Sequence, residues 1–237
     1  MSRMPPALVA IVDYGLGNLY SVKHACAHVG LDATITSSAA DIVAADAVIL
    51  PGVGAYGDAM ATLGNLDLIT VIQDYVAAGR PLVGICLGMQ LLMSGSDEFG
   101  ERDGLGLIPG RVGRFEDPVE GDRILKVPQI GWNGISRPRS SVGSGVAAQP
   151  DPWQGTLLDS VADGEPMYFV HSYVVRPADP GVVLSTTRYG NVEFCSSLKQ
   201  ANVMACQFHP ERSGPEGLKI YQTMAKMIGV RAKGAVE

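Results

Sequence analysis

Through about its first 95 residues the chain alternates strand-length apolar runs with helix-spaced segments, and few folds accommodate that rhythm. Residues 7–12 (ALVAIV) are continuously apolar and lead into DYGLGN, the pattern of a strand buried on both faces followed by a turn. Residues 18–29 (NLYSVKHACAHV) have helical spacing, with Asn18 placed to act as N-cap. LDATIT at 31–36 is a second strand, and DIVAADAVILPG supplies a short helix and then the strand AVIL at 47–50. Residues 66–78 are again helical and stop at Gly79, a C-cap position. PLVGI at 81–85 is a further buried strand that runs into a helix, CLGMQLLM. This order predicts an α/β fold with a mostly parallel central sheet, flanking helices and right-handed crossovers. Such folds carry their chemistry at the carboxyl ends of the strands.

The second half changes character. GRVGRF, ILKVPQIGW, PMYFVHSYVV, VVLSTTRYG, NVEFCSSL and NVMACQF are rich in β-branched and aromatic residues, with Gly, Pro, Asn and Asp between them. They predict short strands joined by turns. Residues 216–229 return to helical spacing as a closing helix, and the Ser/Gly/Pro-rich stretch 136–155 predicts an exposed, mobile loop. There is no internal repeat, and a single domain over 1–237 is expected. The net charge of −6, without a Lys/Arg-rich run, argues against a nucleic-acid surface. No segment approaches the roughly 20 apolar residues of a membrane span. The first residues lack the tripartite pattern of a signal peptide. The cysteines at 26, 86, 195 and 206 form no CxxC pair, which predicts a reducing, cytoplasmic setting.

Two segments carry chemistry. Gly84-Ile85-Cys86-Leu87-Gly88 is a cysteine form of the nucleophile elbow, a tight strand-to-helix turn that closes only over small neighbours. The free N–H groups of the following helix would favour a thiolate, and the Leu87 N–H would face a developing oxyanion. These five residues alone also fit a buried structural cysteine. Cys26, Cys195 and Cys206, within a helix and two strands, are expected to be structural. His24 and His28 stand four apart, a spacing that can hold a metal, but no third ligand accompanies them and a solvated helix face is expected. His171 sits at a strand end in YFVHSY. His209 lies in CQFHPER, where a turn at Pro210 would bring Glu211 back to the imidazole to fix its tautomer. A surface His beside a surface Glu is the other reading of that pair.

Taken together and in order, GICLGMQLL, PQIGWN, YFVHSY and QFHPERS resemble the class I, or triad, glutamine amidotransferases. DYGLGNLYSV and PGVGAYGDAM narrow the resemblance to the glutaminase subunits of imidazole glycerol phosphate synthase, from about residue 8 to 228. The resemblance implies a flavodoxin-like, mostly parallel sheet flanked by helices, with a smaller second sheet. It implies Cys86 as nucleophile, His209 as general acid and base, and Glu211 as its orienter. Pro51 to Gly54 would be the oxyanion strand, through Gly52, Val53 and Gly54. Gln90 would line the glutamine site, as would Ser172 and Tyr173, largely through their backbone.

The resemblance further implies no metal and no organic cofactor. It implies a heterodimer with a (β/α)₈-barrel cyclase subunit that receives ammonia and makes imidazole glycerol phosphate and AICAR in histidine biosynthesis. Asn18, Gln129, Trp132 and Arg212 fall in segments expected at that interface, Trp132 either as an anchor or as a core residue. Gln129 stands where the family has His and Arg212 where it has Lys, and the 136–155 loop is longer than usual. The rival readings are another class I amidotransferase subunit, a related Cys-His peptidase, and a non-catalytic binding subunit.

Overall fold

A computed structural model describes residues 7–138 and 151–234. Its first half runs β1 (Leu8–Val12), α1 (Leu19–His28), β2 (Asp32–Thr36), α2 (Ala39–Ala44), β3 (Ala47–Gly52), α3 (Tyr56–Asn65), α4 (Leu68–Ala77), β4 (Leu82–Cys86) and α5 (Leu87–Leu91). The second half adds β5 (Met93–Ser96), β6 (Arg102–Asp103), β7 (Ile108–Arg114), β8 (Val119–Glu120), β9 (Arg123–Ile124) and β10 (Gln129–Ile135). Then follow β11 (Glu165–His171), β12 (Tyr173–Pro177), β13 (Val183–Tyr189), β14 (Val192–Gln200), β15 (Val203–Cys206) and α6 (Gly214–Gly234).

The main sheet has seven strands in the order β13-β14-β15-β4-β3-β1-β2. From β15 to β2 they are parallel, and β13 and β14 extend one edge in antiparallel fashion. The unbroken apolar runs follow from this position. Val9, Ile11, Ile49, Val83 and Ile85 enter the core on one face, while Ala10, Val12, Val48, Leu50 and Leu82 enter the core on the other. A strand covered on both faces has no polar side to alternate with. The expected smaller second sheet is divided among a four-stranded sheet, β12-β7-β5-β6, and the pairs β10-β11 and β8-β9.

Four local expectations need correction. Asn18 occupies the N-cap position of α1, but its side chain makes no capping hydrogen bond. Helix α3 was not foreseen: its segment is glycine-rich and Ala55 cannot cap it. Its first N–H is met from far away instead, with Tyr56 N donating to Glu98 Oε2 at 2.5 Å. Helix α5 ends at Leu91 and Met93 already belongs to β5. The carbonyls of Leu91 and Leu92 accept from Leu105 N (2.8 Å) and Ile108 N (3.0 Å), so the helix closes onto the neighbouring chain. The loop expected at 136–155 falls mostly on 139–150, outside the described residues, but 151–155 is not exposed throughout. Trp153 is fully buried, donates from Nε1 to Leu184 O, and carries the Arg137 guanidinium 4.1 Å above its ring.

Candidate active site

Strands β3, β4 and β15 deliver their carboxyl ends side by side. Gly52 pairs with Cys86 and Cys206 with Ile85, so the residue after β15, Gln207, comes level with Cys86. Cys86 itself has φ 55° and ψ −109°, in the left-handed half of backbone space that costs a non-glycine residue energy. The elbow stays closed because its neighbours lack side chains. A Cβ on Gly88 would lie 1.7 Å from Leu50 O, and one on Gly84 would lie 3.0 Å from Gly88 O and Met89 N. Gly52 is similarly tight, because a Cβ there would meet the Tyr14 hydroxyl at 2.0 Å. That hydroxyl donates to Pro51 O at 2.7 Å and holds the start of the PGVG segment.

Cys86 opens onto a cavity of about 670 Å³ whose walls include Val53, Gly54, Leu87, Gln90, Ser172 and Tyr173. Of the residues anticipated for glutamine and the oxyanion, Gly52 alone does not line it. The carbonyl of Tyr173 accepts from Gln90 Nε2 at 3.1 Å and from His171 Nδ1 at 2.9 Å, and that of Ser172 accepts from Phe115 N at 3.0 Å. His171 also borders the cavity, packed among Phe115, Phe169 and Phe194. Burial pulls its pKa down to about 4, so near neutral pH it is an uncharged ring donating from Nδ1.

His209 follows β15, its N–H donating to Tyr168 O at 2.9 Å. Residues Pro210–Arg212 form a single 3₁₀ turn that returns Glu211, and His209 Nδ1 meets Glu211 Oε1 at 2.8 Å. The two side chains are 4% and 1% exposed, so the reading of a surface pair falls away. Because a carboxylate only accepts, Nδ1 carries a proton and Nε2 is left for the chemistry. Nε2 has no hydrogen-bond partner of good geometry among the described residues, and it lies near the Cys86 sulfur. Burial opposes the imidazolium, but the negative charge of a Cys86 thiolate and the Glu211 carboxylate outweigh it, raising the His209 pKa to about 10. Ser213 Oγ donates to His209 O at 2.7 Å and accepts from Tyr168 N at 3.0 Å, which fixes the turn.

Two residues of the site escaped the sequence reading. Glu98 is 9% exposed and lines the cavity while holding Tyr56 N. It is a carboxylate suited to a ligand's ammonium group, and nothing near it in the sequence marks it. Gln207 is fully buried, and its Nε2 donates to Cys86 Sγ at 3.6 Å. The only signal for Gln207 was its place two residues before His209. Cys26, Cys195 and Cys206 are buried, as expected of structural thiols. His24 and His28 are exposed, and among the described residues no group of three or more His, Cys, Asp or Glu is placed to hold a metal ion.

Beside the cavity mouth, Trp132 is 58% exposed and Ile130 63%, so Trp132 is not a core residue. Tyr168 stands edge-on to Trp132 with ring centres 6.1 Å apart, and the Arg212 guanidinium sits 4.8 Å from the centre of the Tyr168 ring. Asn18 is half-buried. Gln129 is a correction: alternation along β10 sends Ile130 and Trp132 outward and Gln129 inward, where it is 3% exposed and presents no surface to a partner.

An elbow cysteine lies beside a carboxylate-held histidine at the strand ends of a mostly parallel sheet. The family model "Glutamine amidotransferase class-I" matches residues 10–226, and the chain belongs to that family. Solved structures agree on the fold. A glutamine amidotransferase superposes with a TM-score of 0.67 at 18% identity, covering 93% of this chain and 98% of that one. PurLQS from Thermotoga maritima superposes with a TM-score of 0.66, also at 18% identity, covering 94% and 99%.

Within the family, the chain groups with the HisH subunits of imidazole glycerol phosphate synthase. It is 44% identical to HisH of Rhodopirellula baltica over 92% of this chain and 97% of that one. It is 46% identical to HisH of Syntrophotalea carbinolica, over 93% and 100%. No helix among the described residues is long and apolar enough to cross a membrane.

Proposed function

We propose that the chain hydrolyses the side-chain amide of glutamine at Cys86 and passes the ammonia to a (β/α)₈-barrel cyclase subunit, as the glutaminase half of imidazole glycerol phosphate synthase. The observation that carries the chemistry is Cys86 on a left-handed elbow, with the buried His209–Glu211 pair beside it and a cavity in front. The relatives' names carry the choice of synthase.

The Cys86 thiolate attacks the amide carbon of glutamine to form a C–S bond, and the carbonyl becomes an oxyanion. The Leu87 N–H and the PGVG segment face that oxygen. The His209 imidazolium gives its Nε2 proton to the leaving nitrogen, the C–N bond breaks, and ammonia departs from a γ-glutamyl thioester. Neutral His209 then takes a proton from water, hydroxide adds to the thioester, and the C–S bond breaks to return thiolate, imidazolium and the γ-carboxylic acid, which releases its proton to solvent as glutamate leaves. Glu211 keeps Nδ1 protonated throughout and stabilises the charged ring. Glu98 is placed to meet the α-ammonium group of glutamine. No step calls for a metal or an organic cofactor.

The whole chain, 1–237, acts as one amidotransferase domain. The exposed Ile130, Trp132 and Arg212, with the half-buried Tyr168 among them, are the face offered to the cyclase. The four unpaired thiols suit a reducing, cytoplasmic setting. Glutamate release from glutamine, measured with and without the cyclase and its nucleotide ligand, tests this reading. Activation by the liganded cyclase supports it, and full activity of the isolated chain would reject the coupled assignment.

A further inference from the structure

We propose that Gln207 is a further catalytic residue: its side-chain amide donates a hydrogen bond to Cys86 Sγ and stabilises the thiolate, and Gln90 holds that amide in the donating orientation. The proposal rests on the reading of Cys86 as the nucleophile and adds a residue to its machinery.

The orientation follows from a group that has no choice. The Tyr173 carbonyl can only accept, so the atom of Gln90 facing it at 3.1 Å is Nε2. The same Nε2 lies 3.1 Å from the side-chain amide of Gln207, and its second proton requires an acceptor there, Gln207 Oε1. With its oxygen spoken for, Gln207 turns Nε2 toward Cys86 Sγ at 3.6 Å. Reversing either amide would set two donors or two acceptors against each other. Gln207 is fully buried and Gln90 is 5% exposed, so water cannot easily repair such a mismatch.

The backbone places this donor too. Gln207 N donates to Ser196 O at 2.9 Å, and the parallel register of β15 with β4 brings residue 207 level with residue 86.

The sulfur's other hydrogen-bond neighbour is of the opposite kind. As a thiol, Cys86 donates to Val170 O at 3.9 Å, whereas a thiolate cannot donate and would face that oxygen unfavourably. A donor that prefers the charged form is therefore what this sulfur requires, and helix α5, at five residues, offers little dipole of its own. His209 supplies a proton that must later leave with ammonia, whereas the amide of Gln207 keeps its protons and supports the sulfur through both half-reactions.

The test is alkylation of the full-length chain by iodoacetamide as a function of pH, read by mass spectrometry on the peptide containing Cys86. Burial pushes the thiols of Cys26 and Cys195 up to about 12 and raises Cys206 as well, so these three serve as silent internal controls. Gln207→Met removes the donor at similar length, and Gln207→Glu replaces it with an acceptor.

Both variants are expected to move the midpoint of the Cys86 profile up by about one pH unit or more, a roughly tenfold loss of reactive sulfur on the acid side of the profile. The rate at the alkaline plateau is expected to be unchanged or faster. Gln90→Met, which frees the Gln207 amide to rotate, is expected to give a smaller shift in the same direction, and it keeps the test open if Gln207→Met does not fold. Wild-type midpoints in all folded variants would overturn the proposal, and a raised KM for glutamine without a shifted profile would assign Gln207 to supporting Gln90 alone. Alkylation needs neither glutamine nor a partner, so its outcome is separate from any failure of glutamine hydrolysis.

Discussion

Gly88→Ala should disable the site with the smallest possible change. The added Cβ would lie 1.7 Å from Leu50 O, whereas real Cβ atoms essentially never come closer than 3.0 Å. Helix α5 and strand β3 would have to part by at least about 1.3 Å, with backbone on both sides and no flexible side chain to yield. Close-packed interiors do not absorb such a shift freely, and overpacking of this kind costs about 1–3 kcal/mol. The upper end applies here because the clash is with a carbonyl inside the sheet. The same displacement carries the Leu87 N–H and Gln90 away from Cys86, and misplacement by about 1 Å costs on the order of 100-fold in rate.

Guanidinium unfolding and glutamate release in the presence of the cyclase measure the two effects. Gly229→Ala is the matched control: it lies in α6 with no atom within 4 Å of the new Cβ, and it should gain about 0.5–1 kcal/mol from helix propensity. If Gly88→Ala unfolded within about 0.5 kcal/mol of the wild type and kept its activity, the account of the elbow would be refuted.

Other perturbations follow from the same geometry. Glu211→Gln keeps the shape of the turn but removes the charge that holds Nδ1–H, so glutamate release should fall by about 10²–10⁴-fold, and the unfolding midpoint at neutral pH should fall as well because the carboxylate helps raise the His209 pKa. His171 is held neutral to about pH 4 in the fold but takes a proton near pH 6.5 when unfolded. Stability should therefore drop by roughly 3 kcal/mol as the pH falls from 6.5 to 4, and urea titrations of His171→Gln should lack this part of the slope. His209 acts in the opposite window. Burial disfavours its charge but the Cys86 thiolate more than compensates, so its contribution is full below pH 6.5 and is lost as the pH rises to about 10; Cys86→Ala should flatten that alkaline limb. Trp132→Ala should leave the isolated chain as stable as before, because the ring is exposed, yet weaken cyclase binding measured by calorimetry by about tenfold or more.

The parallel half of the fold was legible because β1, β3 and β4 are short, uniformly apolar runs bounded by turn signals and alternating with helix-spaced segments. Where the reading failed, the deciding contact came from far along the chain. Helix α3 starts at Tyr56 because Glu98 caps it across 42 positions, and α5 stops at Leu91 because Leu105 and Ile108 take its carbonyls. Trp153 sits in a Ser/Gly/Pro-rich stretch that looks solvated, yet the Leu184 carbonyl and Arg137 enclose it.

The site divided the same way. Cys86, His209 and Glu211 lie in compact motifs whose spacing expresses the turn that joins them. Glu98 and Gln207 act through placement alone, one by a loop that folds back on α3 and the other by sheet register. Gln129 was misplaced because a short motif does not report which way its strand faces, and a shift of one residue reverses inside and outside.

The central claim is that Cys86 carries the acyl group during glutamine hydrolysis. Acid-quenched mass spectrometry of the turning-over complex tests it most directly. A γ-glutamyl adduct should appear on the peptide containing Cys86 and be absent in Cys86→Ala, which should release no glutamate. Continued hydrolysis by Cys86→Ala, or an adduct on any other residue, would contradict the account.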